Sequence, residues 1–210
     1  MAEHMFSVIV PSHNGEKRIR KALGSVLRQS YTDYELIVVC DDCSDRTKAI
    51  AEGFGAKTIS GAWHRDGLAR NAGLDAARGK WILFLDDDDW FLHESVFQML
   101  AEVIPQLDMD VLDFAFIWKG NGYVAPLESN HLYAMAWCRA WKRDFIGENR
   151  FRDFVYGSDK EFFERMIVNN PEVRVGIWNT PMYYYNYMRE GSLSDLKKKG
   201  ALPKDGEGLE

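Results

Sequence analysis

The sequence predicts an α/β domain with a mostly parallel central sheet flanked by helices, and three observations carry that expectation. Short β-branched runs alternate with stretches whose apolar residues recur every three or four positions, the two periods of strand and amphipathic helix. The runs are apolar on both faces, as strands covered by helices on either side must be. The chain has 210 residues, 46% of them hydrophobic and 28% charged, enough for one core of ordinary size and too apolar for disorder.

Taken in order, Phe6-Ser-Val-Ile-Val10 reads as a buried strand stopped by Pro11, which cannot donate to a ladder. From Glu16 onward, Ile19, Ala22, Leu23, Val26 and Leu27 form one inward stripe on a helix. Glu35-Leu-Ile-Val-Val-Cys40 is a second strand, Asp45 to Phe54 a short helix and Ala56-Lys-Thr-Ile-Ser60 a weaker third strand. Asp66 to Arg78 is helical, with Leu68, Ala72 and Ala76 on one face and Gly79 placed to end it at C′. Trp81-Ile-Leu-Phe-Leu85, the most apolar strand, runs straight into Asp86-Asp-Asp-Asp89.

Glu94 to Ile104 is a further amphipathic helix and Asp110 to Trp118 a further strand. After Gly120 the regularity fades, with a turn or loop over 120–126 and a stretch to Arg152 rich in Trp and Arg. Ser158 to Val168 recovers a helix, and Val173–Trp178 and Met182–Tyr187 read as two late strands. Residues 1–196 are expected to form one domain and 197–210 a loose tail, since the tail has little to pack.

A net charge of -6 excludes nucleic acid as the main partner, because phosphate binding wants a basic field. An acidic chain that handles phosphate needs a cation. Cys40, Cys43 and Cys138 are too few, and odd in number, for a disulfide framework, which points to a reducing compartment and a cytoplasmic location. No apolar run is long enough to span a membrane and no leader pattern is present, so membrane contact would be peripheral, at the inner face.

In open α/β sheets ligands sit beyond the carboxyl ends of the strands. Those positions hold Pro11-Ser-His-Asn14, Asp41-Asp42 and Asp86-Asp-Asp-Asp89, so three segments deliver polar groups, mostly carboxylates, to one sheet edge. Four consecutive Asp raise one another's pKa unless something offsets the repulsion, and a divalent cation such as Mg²⁺ or Mn²⁺ would do so. The competing reading is a solvated turn that caps the next helix.

These segments resemble the family 2 glycosyltransferases with the GT-A fold. Val8-Ile-Val-Pro-Ser-His-Asn14 is similar to their opening strand and nucleotide loop, and Val39-Cys-Asp-Asp-Cys-Ser-Asp-Arg-Thr47 to the V-x-D-G-S-x-D-x-T element. Gly67-Leu-Ala-Arg-Asn-Ala-Gly73 resembles G-x-A-R-N-x-G, Phe84-Leu-Asp-Asp-Asp-Asp-Trp90 the metal-binding D-x-D-D-W, and Arg189-Glu-Gly-Ser-Leu-Ser194 the closing R-x-G-S-x-S. The resemblance covers residues 6 to 194. It implies a nucleotide-binding half over 6–90 and an acceptor-binding half over 91–196.

The activity it implies is transfer of a sugar, with inversion, from a nucleotide diphosphate, a UDP-sugar, to a hydroxyl of a glycan or lipid-linked acceptor. Pro11, His13, Asn14, Asp41, Arg70, Asn71, Asp86, Asp87 and Arg189 would form the donor site, with Asp41 accepting from the base imide. Asp86 and Asp88 would hold Mn²⁺ or Mg²⁺, which would neutralise charge on the departing diphosphate. Asp159 would be the general base that takes the acceptor proton.

The chain departs from the pattern in places. Ser158 stands where relatives carry Glu before the basic Asp, and Ser158 with Glu161 also spells a helix capping box. Asp42-Cys43 replace Gly-Ser, and Cys138-Arg139 replace an Asn-Lys pair. Cys40-Asp-Asp-Cys43 spells C-x-x-C, but flanking Asp should raise its thiol pKa, which argues against redox chemistry. Two other readings remain open: a catalytically decayed sugar-nucleotide-binding protein, and a nucleotidyltransferase, which should carry a Gly-rich phosphate loop where Pro11 to Gly15 has one Gly. With motifs running nearly to the end, the expected module has a minimal acceptor region or a shortened C-terminus.

Overall fold

A computed structural model describes residues 4–124, 135–187, 189–190 and 192–200. Residues 125–134, at the end of the expected 120–126 turn and in the irregular segment after it, Gly191 of the closing motif and residues 201–210 of the expected tail lie outside the described residues. The elements are β1 (Phe6–Ser12), α1 (Ile19–Leu27), β2 (Tyr34–Asp41), α2 (Thr47–Gly53), β3 (Lys57–Gly61), α3 (Asp66–Ala76), β4 (Trp81–Phe84) and β5 (Trp90–Phe91). They continue as α4 (Val96–Val103), β6 (Val111–Trp118), β7 (Gly122–Val124), β8 (Arg139–Lys142), α5 (Arg143–Ile146), α6 (Ser158–Phe163), β9 (Val175–Tyr185) and α7 (Leu193–Lys198).

One mixed sheet runs in the order β3-β2-β1-β4-β8-β6-β9-β5, with β7 beside β6. The first four neighbours are parallel, as the apolar runs require, and β8 lies antiparallel to both β4 and β6. The order reverses direction at β1, with β2 and β3 on one side and β4 on the other. That switch point opens the crevice in which ligands of such sheets sit.

Several expectations shift for identifiable reasons. Pro11 does not stop β1, which continues to Ser12 beside Cys40 of β2. The carbonyl of Ile9 faces β4, accepting from Leu85 N–H at 3.0 Å, so by the two-residue period Pro11 also faces that side. There the pairing with β4 has already ended at Ile9, and the missing donor is not needed. In α1, Ile19, Ala22, Leu23 and Val26 are buried as expected, while Leu27 is exposed.

Helix α3 has the expected period and a different phase. Its buried residues are Gly67, Ala69, Arg70, Gly73 and Leu74, not Leu68, Ala72 and Ala76. Gly73 lets it lie close on Ile9 of the sheet, Gly67 lets it meet Phe151 and Ser158, and that rotation carries Arg70 inward. The helix ends at Ala76, so Gly79 is not its C′ residue. Gly79 is required instead by close approach: a Cβ there would stand 2.4 Å from the Ser7 backbone nitrogen.

The two expected late strands are one. β9 runs beside β6 through a register shift between Phe114 and Phe116, and the polar Asn179-Thr180-Pro181 stretch is the bulge rather than a break. Helix α6 is continued by a π-helical turn, Glu164–Val168. Lys197 and Lys198, assigned to the loose tail, belong to α7, whose N-terminus is capped by Ser192 Oγ accepting from Asp195 N–H at 3.2 Å.

Candidate active site

A cleft of about 480 Å³ lies over the carboxyl ends of β1, β2 and β4. Pro11, His13, Asp41, Arg70, Asp86, Asp87, Asp88 and Arg189 line it. His64, Arg65 and Asp66, in the β3–α3 segment, complete that wall, and Arg18, Tyr185 and Asn186 also face the space. None of these six was singled out from the sequence. Asp66 was hidden because an acidic residue at a helix start has a sufficient local explanation.

The loops after β1, β2 and β3 each hold a non-glycine residue in the left-handed region: Asn14 at φ 48°, Asp42 at 47° and His64 at 54°. Strained backbone of this kind persists only where neighbours fix it. Asn14 Oδ1 accepts from the Ser44 and Asp45 N–H groups at 2.9 and 3.3 Å, tying two loops together behind the cleft wall. Asp41 Oδ1 accepts from the Trp63 and His64 N–H groups at 2.6 and 2.9 Å. His13 Nδ1 lies 2.7 Å from the Asp41 carbonyl, which can only accept, so Nδ1 carries the proton and Nε2 receives the Asn14 amide at 3.2 Å.

The four consecutive Asp each have their own protein partner. Asp86 Oδ1 pairs with Arg70 Nη2 at 2.8 Å. Asp87 accepts from Arg18 Nε at 2.5 Å and from Ser12 Oγ, and Arg18 goes on to the carbonyls of Asn14 and His13. Asp88 pairs with Arg189. Asp89 is turned away from the cleft, accepting from Tyr183 OH at 2.8 Å and from Asn186 N–H at 2.7 Å. The Tyr183 oxygen in turn accepts from Asp86 N–H at 3.1 Å, which fixes the turn that carries the run.

Burial nevertheless raises the carboxyls of Asp86, Asp87 and Asp89. It pushes Asp86 up to about 7, with Arg70 opposing and Asp159 and Asp88 adding to the rise. Asp87 is raised by burial against the pull of Arg18, and burial takes Asp89 well above the usual carboxylate range.

Arg70, 3% exposed, is the hub of the site. Its Nη1 lies 2.6 Å from Asp66 Oδ2 and 3.3 Å from Asp159 Oδ1, and its Nη2 holds Asp86. Asp159 therefore stands behind the cleft wall, one guanidinium away from Asp86. Its Oδ2 accepts from Ala136 N–H at 3.1 Å. Burial raises its pKa, Arg70 opposes that, and Asp66 adds to it.

Three expectations about this region change. Asn71 does not face the donor space: it clamps the Phe151 backbone with two 2.8 Å bonds, joining α3 to the segment before α6. No capping box forms at Ser158, because Gly157 is the N-cap of α6 and the Ser158 hydroxyl donates to Asp66 Oδ1 at 3.2 Å. Glu161 is drawn to Arg165 at 2.8 Å instead. The Cys43 thiol is not raised: a hydrogen bond with Cys40 lowers it to about 7, and that same bond pushes Cys40 up.

Asp86 and Asp88 present only hard oxygen donors to the cleft, the chemistry Mg²⁺ or Mn²⁺ takes when phosphate and water supply its other ligands. Among the described residues no cluster of three or more His, Cys, Asp or Glu is arranged to hold a metal, so protein ligands alone do not make a cage. The pair fits a cation that arrives with a diphosphate.

An open α/β sheet with a charged cleft at its switch point is the arrangement in which such sheets bind ligands. The sequence matches Glycosyl transferase family 2 over residues 7–169, and the chain belongs to that family. It is 30% identical over 214 residues to the poly(ribitol-phosphate) beta-N-acetylglucosaminyltransferase TarS of Staphylococcus aureus, covering 89% of this chain and 36% of TarS. It is 36% identical over 137 residues to the uncharacterized glycosyltransferase EpsJ of Bacillus subtilis, covering 61% of this chain and 40% of EpsJ. The chain thus spans well under half the length of either.

The fold matches the crystal structure of S. aureus TarS 1–349 in complex with UDP-GlcNAc, with a TM-score of 0.77 and 25% identity, covering 90% of this chain and 60% of that one. Glucosyl-3-phosphoglycerate synthase from Mycobacterium tuberculosis, solved with Mn²⁺, UDP and phosphoglyceric acid, shares the fold at a TM-score of 0.69 and 18% identity, over 98% of this chain and 82% of its own. The expected GT-A fold is therefore present. No helix among the described residues is long and apolar enough to cross a membrane.

Proposed function

We propose that this chain is the catalytic unit of an inverting glycosyltransferase that uses a UDP-sugar and a hydroxyl acceptor on a glycan or lipid-linked saccharide. The observation that carries the reading is the convergence of Asp41, Asp86, Asp88 and Arg189 on one cleft of a family 2 chain, with Asp159 bound to the same arginine as Asp86. The likeness to TarS, solved with UDP-GlcNAc, supports a uridine nucleotide as the donor. Residues 6–90 would carry the donor and 91–196 the acceptor.

Asp41, already fixed by two backbone N–H groups, receives the base edge, and His13 lines the same wall. Asp86 and Asp88 would hold Mg²⁺ or Mn²⁺, which when bound supplies positive charge to the diphosphate. Arg189 adds a guanidinium beside it. Asp159 takes the proton of the acceptor hydroxyl as that oxygen bonds to the anomeric carbon. The bond from that carbon to the diphosphate oxygen breaks, and its electron pair leaves with UDP. Asp159 reaches that proton by a small displacement from Arg70, as catalytic contacts in a ligand-free site commonly tighten on binding.

The test is UDP release from a panel of UDP-sugars, with Mn²⁺ and with a chelator, on wild type, Asp159→Asn and Asp88→Ala. Asp159→Asn should lower kcat by about 10²–10⁴-fold with UDP affinity retained. Asp88→Ala should remove the metal dependence of UDP binding. Metal-dependent UDP binding with no turnover in any acceptor mixture would instead support a sugar-nucleotide-binding protein whose catalysis has decayed.

A further inference from the structure

We infer that Asp66 is a positioning residue for the base: through Arg70 and Ser158 it sets the orientation of Asp159, supplying from α3 a carboxylate that α6 lacks. The inference rests on the reading of Asp159 given above and adds a residue to it.

The geometry is a closed circuit between two elements that are far apart in sequence. Asp66 Oδ2 binds Arg70 Nη1 at 2.6 Å, and the same Nη1 lies 3.3 Å from Asp159 Oδ1. Asp66 Oδ1 accepts from the hydroxyl of Ser158, the residue immediately before Asp159, at 3.2 Å. Asp66 thus touches both the group that holds the base and the backbone neighbour that carries it. Ser158 is 1% exposed, and its Cβ would stand 2.9 Å from a Cβ built on Gly67, so α3 and the start of α6 meet here without slack.

Arg70 is shared by three carboxylates, and a guanidinium offers only a fixed fork of donors. The ligand with the shortest contact decides where the fork points, and that ligand is Asp66. Without it, Arg70 is free to turn toward Asp86 and Asp159, and the base is held tightly by a full positive charge. With it, Asp159 keeps the longest of the three contacts, the arrangement in which a base is both oriented and releasable. The bland alternative is that Asp66 serves only α3, accepting from Gly67 N–H at 2.8 Å at the helix start and pairing with Arg70 one turn on. That role predicts a loss of stability with no special effect on kcat, and moving the carboxylate to α6 could not restore it.

The experiment measures UDP release from UDP-GlcNAc and UDP-glucose with Mn²⁺, together with UDP affinity and thermal melting. The variants are wild type, Asp159→Asn, Asp66→Asn, Asp66→Ala and Asp66→Ala/Ser158→Glu. Asp66→Ala should lower kcat about tenfold or more, a larger factor than any change in donor KM or UDP affinity, and Ser158→Glu in that background should recover most of the loss in kcat. Asp66→Asn, which keeps the volume, should show the same split if Asp66→Ala proves too unstable to assay. A wild-type kcat in both Asp66 variants, or a loss that follows the melting temperature and is not rescued at 158, overturns the inference while leaving Asp159 as base. Release that is unaffected by Asp159→Asn overturns the base assignment, and this inference with it.

Discussion

Residues 6–90 and 91–196 build the same sheet by different means. In the first stretch strands pair in parallel, β1, β2 and β3 are each followed by a helix, and the polar groups appear directly at strand ends. In the second, β8 reverses direction, β9 carries a bulge, a π-helical turn follows α6, and the aromatic residues stack in a chain through Trp137, Tyr183 and Tyr185. The site lies where the two meet, and its charges cross the boundary: Arg70 of the first holds Asp159 of the second, and Arg189 of the second holds Asp88 of the first. What regular secondary structure delivers is a row of carboxylates. What the irregular part delivers is the set of partners that makes the row usable.

The sharpest way to break this arrangement is at its hub. Arg70→Met would leave Asp66, Asp86 and Asp159 facing one another around an apolar side chain in a buried place. Removing one partner of a buried charge set costs about 3–5 kcal/mol, because the remaining charges lose their compensation. Urea denaturation should register that loss at neutral pH. The loss should shrink as pH falls, since Asp86 and Asp159, whose pKa values burial already raises, can then protonate. A variant as stable as wild type at neutral pH would mean that Arg70 does not join the two stretches energetically.

Next in size is the pH dependence of turnover. Burial raises the Asp159 pKa, Arg70 lowers it, Asp66 raises it, and the Ala136 N–H and Arg139 lower it, with the net direction upward. A base works deprotonated, so a raised pKa moves the acidic loss of kcat/KM to higher pH than an ordinary Asp would give. The acidic limb should therefore fall above the usual carboxylate range of about 4. A limb at or below that range would show that the base sits in a more polar setting than the structure describes.

Much of this comparison is legible in sequence, and its boundary is physical. The strand ends at Asp41 and Asp86 could be read because a buried strand needs a continuous apolar run and ends where polarity begins. The inward turn of Arg70 could not, because amphipathic periodicity locates a stripe by its apolar members, and α3 packs through Gly67 and Gly73 instead. Ser158 illustrates the limit in the other direction. Its spacing to Glu161 spells a capping box, but a better acceptor, Asp66, comes from 92 residues away, and no local rule contains it.

Arg189 offers a milder contrast with Arg70. Its side chain is 30% exposed and its partner Asp88 lines the open cleft. Exposed or half-exposed pairs contribute about 0–1 kcal/mol to stability. Arg189→Ala should leave urea denaturation nearly unchanged and should weaken UDP binding about tenfold, since a hydrogen bond to a charged group contributes about 1.5–3 kcal/mol. A large stability loss with unaltered UDP affinity would make Arg189 a structural arginine rather than a donor ligand.

The smallest effect expected is at Asp42, a non-glycine residue that holds φ at 47°. Asp tolerates the left-handed region better than most residues but not as well as glycine. Here it has a 3.8 Å contact with His64, itself left-handed at 54°, and both side chains are more than half exposed. Asp42→Gly exchanges local strain for greater freedom of the unfolded chain, and the two oppose each other at about 0.5–1 kcal/mol each. Its melting temperature should therefore stay close to that of wild type. Asp42→Val, which adds a branched Cβ at the same φ, should lower stability by more than about 1 kcal/mol. If both variants melt alike, the backbone at this loop is not held in the left-handed region in solution, and the wall that Asp42 shares with Asp41 is set by the Asp41 bonds to Trp63 and His64 alone.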